Sequence, residues 1–126
     1  MSGALLDTSV LIGPAAAGLP PSAAISVVSL GELRAGVLLA RDATIRDRRS
    51  SRLDAIREAF EPLLVDEPVA AQYGRVLAIA RTEGRIAKAT DLLIIATAAA
   101  HDRILHTRDE RQAELARAAG IGVTTP

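Results

Sequence analysis

The sequence predicts an α/β fold, a three-layer α/β/α sandwich around a central, mostly parallel sheet. Three observations lead there. Short apolar runs of strand length alternate along the chain with longer segments of helical period, the pattern of strand–helix units. The segment from Thr90 to Ala100 is apolar on every side, so a helix there must be covered all round rather than float on a surface. Gly84 and Gly120 stand where two of the helical patterns stop, in the C-cap position that favours glycine. No internal repeat, low-complexity tract or linker interrupts the pattern, so residues 1–126 are expected to form one domain.

The elements follow in order. Ala4–Leu6 is a short apolar strand that ends at Asp7. Gly18-Leu19-Pro20-Pro21 reads as the loop before a second strand, Ala24–Val28, and a helix is expected from Ser29 to Ala40. On that helix Ala35, Gly36 and Leu39 share the face of Glu32 at spacings of three, four and seven, so small neighbours would let another backbone approach the carboxylate. A charged helix from Ile45 to Phe60 precedes a strand at Pro62–Val65. Helices from Pro68 to Thr82 and from Thr90 to Ala100 lead to a strand at Arg103–Thr107. A helix from Asp109 to Ala119 and a strand at Ile121–Thr124 close the chain.

Composition narrows the functions. With 49% hydrophobic residues the chain is not disordered, yet Phe60 and Tyr73 are its only aromatics. A sequence-tolerant single-strand binder stacks bases on aromatic rings, and there are almost none to offer. The absence of cysteine excludes disulfides, zinc–thiolate sites and thiol nucleophiles. Fifteen basic and fifteen acidic residues cancel, which does not advertise a nucleic-acid binder. No charged leader precedes the first strand, and the uncharged stretch from Leu92 to Ala100 falls short of the ~20 residues of a membrane helix. A soluble, cytoplasmic protein is expected.

Four carboxylates interrupt otherwise apolar segments: Asp7 after the first strand, Glu32 a turn past the second, Asp91 at the start of the apolar helix and Asp109 just beyond the fourth strand. Ligands of such sheets bind at the carboxyl ends of strands, so the topology can gather all four at one edge. Two carboxylates ~4 Å apart repel by roughly 4 kcal/mol at an effective dielectric near 20. Such a cluster therefore holds a proton or recruits a hard cation, and oxygen ligands suit Mg²⁺. Each carboxylate also has a structural reading. Asp7, before Thr8-Ser9, can cap a helix, and Asp91 can complement a helix dipole. Ser29-Leu30-Gly31-Glu32 matches a capping box, and Asp109, three residues before Gln112, can cap the last helix.

The ordered set Leu5-Leu6-Asp7-Thr8-Ser9, Ser29-Leu30-Gly31-Glu32-Leu33, Thr90-Asp91-Leu92-Leu93-Ile94-Ile95-Ala96-Thr97-Ala98 and Leu105-His106-Thr107-Arg108-Asp109 resembles the signature segments of PIN-domain nucleases. The size resembles that of VapC toxins of bacterial toxin–antitoxin pairs. The resemblance implies a metal-dependent endoribonuclease that cleaves tRNA or rRNA with Mg²⁺ or Mn²⁺, blocked by a cognate VapB-like antitoxin in a hetero-oligomer, or itself a homodimer. It places Asp7, Glu32, Asp91 and Asp109 at the acidic positions, with Asp7, Asp91 and Asp109 as metal ligands. Ser9 and Thr107 match the supporting polar positions. The fourth acidic position varies most in the family and is sometimes Asn.

Other features are placed beside these. The arginines from Arg41 to Arg57 interleave with acids and read as a solvated helix face. Arg85, Lys88 and Arg108 adjoin the acidic residues and suit phosphate contact. His101 and His106 lack a second histidine at metal spacing and read as structural. No phosphate-binding glycine motif is present. Val10, Leu11, Ile12, Val37, Leu38 and Leu39 exceed what one sheet-facing side needs, and some of them should form an exposed groove for a partner helix. Two rival readings are a catalytically silent PIN fold that acts through a protein partner, and a receiver-like domain with Asp66 as phospho-acceptor and Lys88 as its lysine.

Overall fold

A computed structural model describes residues 3–13 and 22–126, and the expected loop at Gly18–Pro21 lies outside them. The element order is β1 (Ala4–Leu6), α1 (Thr8–Leu11), β2 (Ala24–Ser26), α2 (Val27–Leu38), α3 (Ala43–Ala59), β3 (Glu61–Leu63), α4 (Glu67–Thr82), α5 (Ala89–Ala100), β4 (Ile104–His106), α6 (Glu110–Ala118) and β5 (Val123–Thr124). The five strands pair in the order β3-β2-β1-β4-β5, and every pairing is parallel. The expected α/β class holds.

Side-chain alternation on the strands explains the layers. Leu5 enters a core built with residues of α4, α5 and α6, whereas Ala4 and Leu6 enter a second core with Val10, Leu11 and Ile56. β2 splits the same way, Ala24 to the first and Ile25 to the second. Helices therefore cover both faces, as a parallel sheet requires. The apolar helix α5 buries Leu92, Ile94, Ile95, Ala96, Thr97 and Ala98.

Two boundaries move from their sequence positions. β2 ends at Ser26 rather than running to Val28, because Ser26 Oγ accepts from the Val28 N–H at 3.0 Å and starts α2 there. Ser29 is then the third residue of the helix, and the capping box with Glu32 does not form. Ser26→Ala should cost about 1 kcal/mol, a fall of roughly 3–5 °C in Tm. Thermal unfolding of the two proteins measures it, and an unchanged Tm would deny the cap its role. The third strand ends at Leu63, leaving Leu64 and Val65 exposed instead of paired.

Helix ends are closed by local chemistry. Asp42 and Asp66 accept from backbone N–H groups three residues on, at 2.8 and 3.1 Å. Asp66 thus has a capping job, which weakens the receiver-like reading. Gly84 and Gly120, at φ 68° and 79°, close α4 and α6 by returning the next N–H to Ala80 and Ala116. Asp102, at φ 51°, closes α5 in the same way without being glycine. The arginines of α3 are not merely solvated. Arg46, Arg49 and Arg52 donate to the carbonyls of Ala40, Gly36 and Ile12, strapping α3 to α2 and to the end of α1.

Candidate active site

The chain fills one side of the sheet with β2 and β3, then crosses to β4 on the other side of β1. That reversal leaves a crevice beyond the carboxyl ends of β1 and β4. Asp7 stands there, only 4% exposed. Its Oδ2 accepts from Ser9 Oγ at 2.6 Å, the Ser9 N–H at 3.1 Å and Thr107 Oγ1 at 3.1 Å. Those donors make an ionised carboxylate tolerable at that depth and also cap α1. Among the described residues all the hydrogen bonds to this carboxylate fall on Oδ2, and Oδ1 accepts none.

Ser9 and Thr107 act as hubs. Ser9 Oγ accepts from the Arg108 N–H at 2.9 Å, and Thr107 Oγ1 accepts from the Asp109 N–H at 3.0 Å. Thr107 Oγ1 also lies 2.7 Å from Oε1 of Gln112, a buried amide whose Nε2 reaches toward the Asp91 carbonyl at 3.5 Å. Gln112 thus links the strand end, α5 and α6. Asp109 caps α6 through Oδ1, which accepts from the Arg111 and Gln112 N–H groups at 3.0 and 3.2 Å. Its structural reading is borne out, with Oδ2 left over.

Glu32 is held by a residue the sequence reading passed over. Thr8 Oγ1 donates to Glu32 Oε1 at 2.6 Å and lies 2.9 Å from Ser29 Oγ. Thr8 follows Asp7 directly, so one turn of α1 handles both carboxylates. The only sequence signal for Thr8 and Gln112 was a polar side chain within three residues of an expected ligand.

Asp91 lies in the first turn of α5, the N-terminus of which Lys88 caps without a side-chain bond. Burial foremost, then the negative charges of Asp7, Asp109 and Glu32, push its pKa from 3.8 up to about 6, with Lys88 pulling the other way. The charges of the other three acids therefore all bear on Asp91. Among the described residues no group of three or more acids or histidines is placed so that it could hold a metal ion. Mg²⁺ does not need one, since it binds through one or two carboxylates and keeps its waters. An all-oxygen donor set with a free Asp7 Oδ1, and an Asp91 reluctant to ionise alone, fits a hard divalent cation.

A cleft of ≈ 510 Å³ opens at Asp91 and Asp109, lined also by Arg85, Lys88, Arg111 and Gln112 among others. Of the three expected phosphate contacts, Arg85 is drawn to Glu83 at 2.8 Å and Glu114 at 3.6 Å. Lys88 has no ion pair among the described residues and faces the cleft. Arg108 is exposed and packs over Gly13, where an added Cβ would come 2.8 Å from its Nε. His106 lies half-buried on β4, and burial lowers its pKa, keeping it neutral. The expected apolar groove divides: Val10, Leu11 and Val37 are core, whereas Ile12, Leu38 and Leu39 are 56%, 70% and 77% exposed.

Residues 4–118 match the family model described as PIN domain. Over 100 residues, 75% of this chain and 88% of the relative, the sequence is 44% identical to Ribonuclease VapC8 of Mycobacterium tuberculosis. The structure superposes on VapBC-5 of M. tuberculosis, a member of the VapBC family of toxin–antitoxin systems, with a TM-score of 0.89 at 34% identity, covering 100% of both chains. It also superposes on FitAcB from Neisseria gonorrhoeae with a TM-score of 0.82 at 31% identity, covering 98% and 97% of the two chains.

Proposed function

This chain belongs to the PIN-domain family, and from that premise we propose that it is the ribonuclease toxin of a toxin–antitoxin pair, a hydrolase of RNA phosphodiester bonds with tRNA or rRNA as substrate. The observation that carries this reading is Asp91, which lines an open cleft together with Asp109 and is raised to about 6 by burial and then by the charges of Asp7, Asp109 and Glu32. A purely structural set of helix caps has no reason to crowd charge in this way.

PIN-domain ribonucleases are generally dependent on a divalent metal. Asp7 and Asp91, with Asp109 beside them, would hold Mg²⁺ or Mn²⁺, which when bound supplies Lewis acidity toward water and the phosphodiester. The chain's own residues do the rest. Ser9 and Thr107 fix the Asp7 carboxylate through Oδ2 so that Oδ1 keeps one direction. Thr8 ties down Glu32 Oε1, which leaves Oε2 to accept the proton of an attacking water. Lys88, which lines the cleft, and Arg108 would neutralise flanking phosphates. Gln112 keeps Thr107 and the start of α5 in register.

The protein partner in this reading is a VapB-like antitoxin forming a hetero-oligomer with this single 1–126 domain. No helix among the described residues is long and apolar enough to cross a membrane, and the proposed site of action is the cytoplasm. A catalytically silent fold is the rival, and the complete acidic set with its supporting hydroxyls speaks against it. Purified protein incubated with total RNA should produce discrete fragments with Mg²⁺ or Mn²⁺ and none with EDTA. Intact RNA in every lane would overturn the enzyme reading.

A further inference from the structure

Ile86 is 92% exposed, the most exposed large hydrophobic side chain among the described residues. A lone apolar residue on a surface is ordinary, but this one sits on the rim of the cleft that holds Asp91 and Asp109. Its loop is fixed at both ends: the Arg85 N–H returns to the Ala80 carbonyl at 2.8 Å, and the Lys88 carbonyl accepts from Leu92 at 3.1 Å. Ala87 packs inward against the core and Arg85 is drawn to Glu83 and Glu114. Ile86 is thus held outward between them by a rigid support.

The groups that share this cleft suit a nucleotide. Asp91 and Asp109, which suit a cation, Lys88, which has no ion pair among the described residues, and the aliphatic Ile86 all line it. A nucleotide presents a charged phosphate and, one sugar away, an apolar ring face. Phe60 and Tyr73 both pack against the cores, so no aromatic ring serves the cleft. We propose that Ile86 is the base-contacting residue of the RNA site, its side chain wedged against the base next to the phosphate held over Asp7 and Asp91. This rests on the ribonuclease reading above.

The test uses the full chain and a labelled oligoribonucleotide spanning whichever site the wild-type protein cuts in total RNA. Ile86→Ser should raise KM, and the Kd measured in Ca²⁺, by about 5- to 20-fold, the scale of burying one aliphatic side chain in part, with kcat changed less than twofold and Tm unchanged. Ile86→Phe should restore or tighten binding. Replacing the base beside the cut with an abasic nucleotide should weaken wild type and leave Ile86→Ser indifferent. Equal Kd values for wild type and Ile86→Ser would overturn the proposal. So would a loss of antitoxin binding in Ile86→Ser with RNA binding intact, which would assign the residue to the protein partner. If wild type cuts no RNA, the failure belongs to the ribonuclease reading, is visible before any variant is made, and takes this proposal with it.

Discussion

Asp7→Asn and Asp91→Asn should each lower RNA cleavage by at least about a hundredfold, the scale on which loss of one preorganised charge-stabilising group is felt, while the metal-free variants stay as stable as wild type or become more so. At Asp7 the amide oxygen can replace Oδ2 as acceptor for Ser9 and Thr107, so the cap of α1 survives and only the charge is lost. At Asp91 the substitution removes a group that folding pushes toward protonation. The sign is fixed by linkage. With a folded pKa of about 6 above an ordinary 3.8, the folded chain binds a proton that the unfolded chain releases between those values. Its contribution to stability is whole below about pH 4 and is lost as pH rises through about 6. Because the side chain is only partly buried, screening reduces the effect to about 1 kcal/mol. Metal-free wild type should therefore lose Tm over that window more steeply than Asp91→Asn, and millimolar Mg²⁺ at neutral pH should recover the loss in wild type alone. Glu32→Gln, which retains an acceptor for Thr8, should also lose turnover. A large fall in stability in both Asn variants would show that the carboxylates serve the fold and not a reaction.

The layers were legible in the chain because burial on both faces leaves a mark. Leu5 flanked by Ala4 and Leu6, and the unbroken apolar run of α5, read the same way before and after folding. Glycine at positive φ is equally visible, and both helix-closing glycines were placed from sequence. The start of α2 was not legible, because Val27 and Val28 favour strands. A hydrogen bond to Ser26 Oγ decides against that propensity. The site was legible as four carboxylates but not as a network. That Thr8 serves Glu32 from 24 residues away, and that Gln112 joins β4 to α5 and α6, depends on strand order, which no spacing along the chain discloses. The apolar surplus in the first two helices showed that some residues must be exposed. Only packing told Val37 from Leu38 and Leu39.

Expression of the chain alone should arrest bacterial growth, and co-expression of the small open reading frame beside it should restore growth. An unrestrained ribonuclease destroys its host's RNA, so the enzyme requires a stoichiometric inhibitor. The expected surface for one is the exposed trio Ile12, Leu38 and Leu39. Arg52 binds the Ile12 carbonyl while Arg49, three residues earlier on α3, binds Gly36. The end of α1 and the last turns of α2 are thereby set along the same helix, with exposed apolar side chains on each. Gly31 and Gly36 have open space where a Cβ would stand, so a partner helix can come close to α2. Burying these three side chains under the apolar face of such a helix accounts for their exposure in the free chain. Leu39→Asp should then fold normally, because the residue is 77% exposed, and should cut RNA like wild type. It should nonetheless escape the antitoxin, with affinity reduced by about a hundredfold if Leu39 is among the few residues that dominate binding. In cells that variant stays lethal in the presence of the antitoxin that silences wild type. Rescue of Leu39→Asp as complete as that of wild type would remove this face from the interface. Harmless expression of the intact chain, with total RNA left uncut in vitro, would reject the toxin and leave a PIN fold that works only by binding.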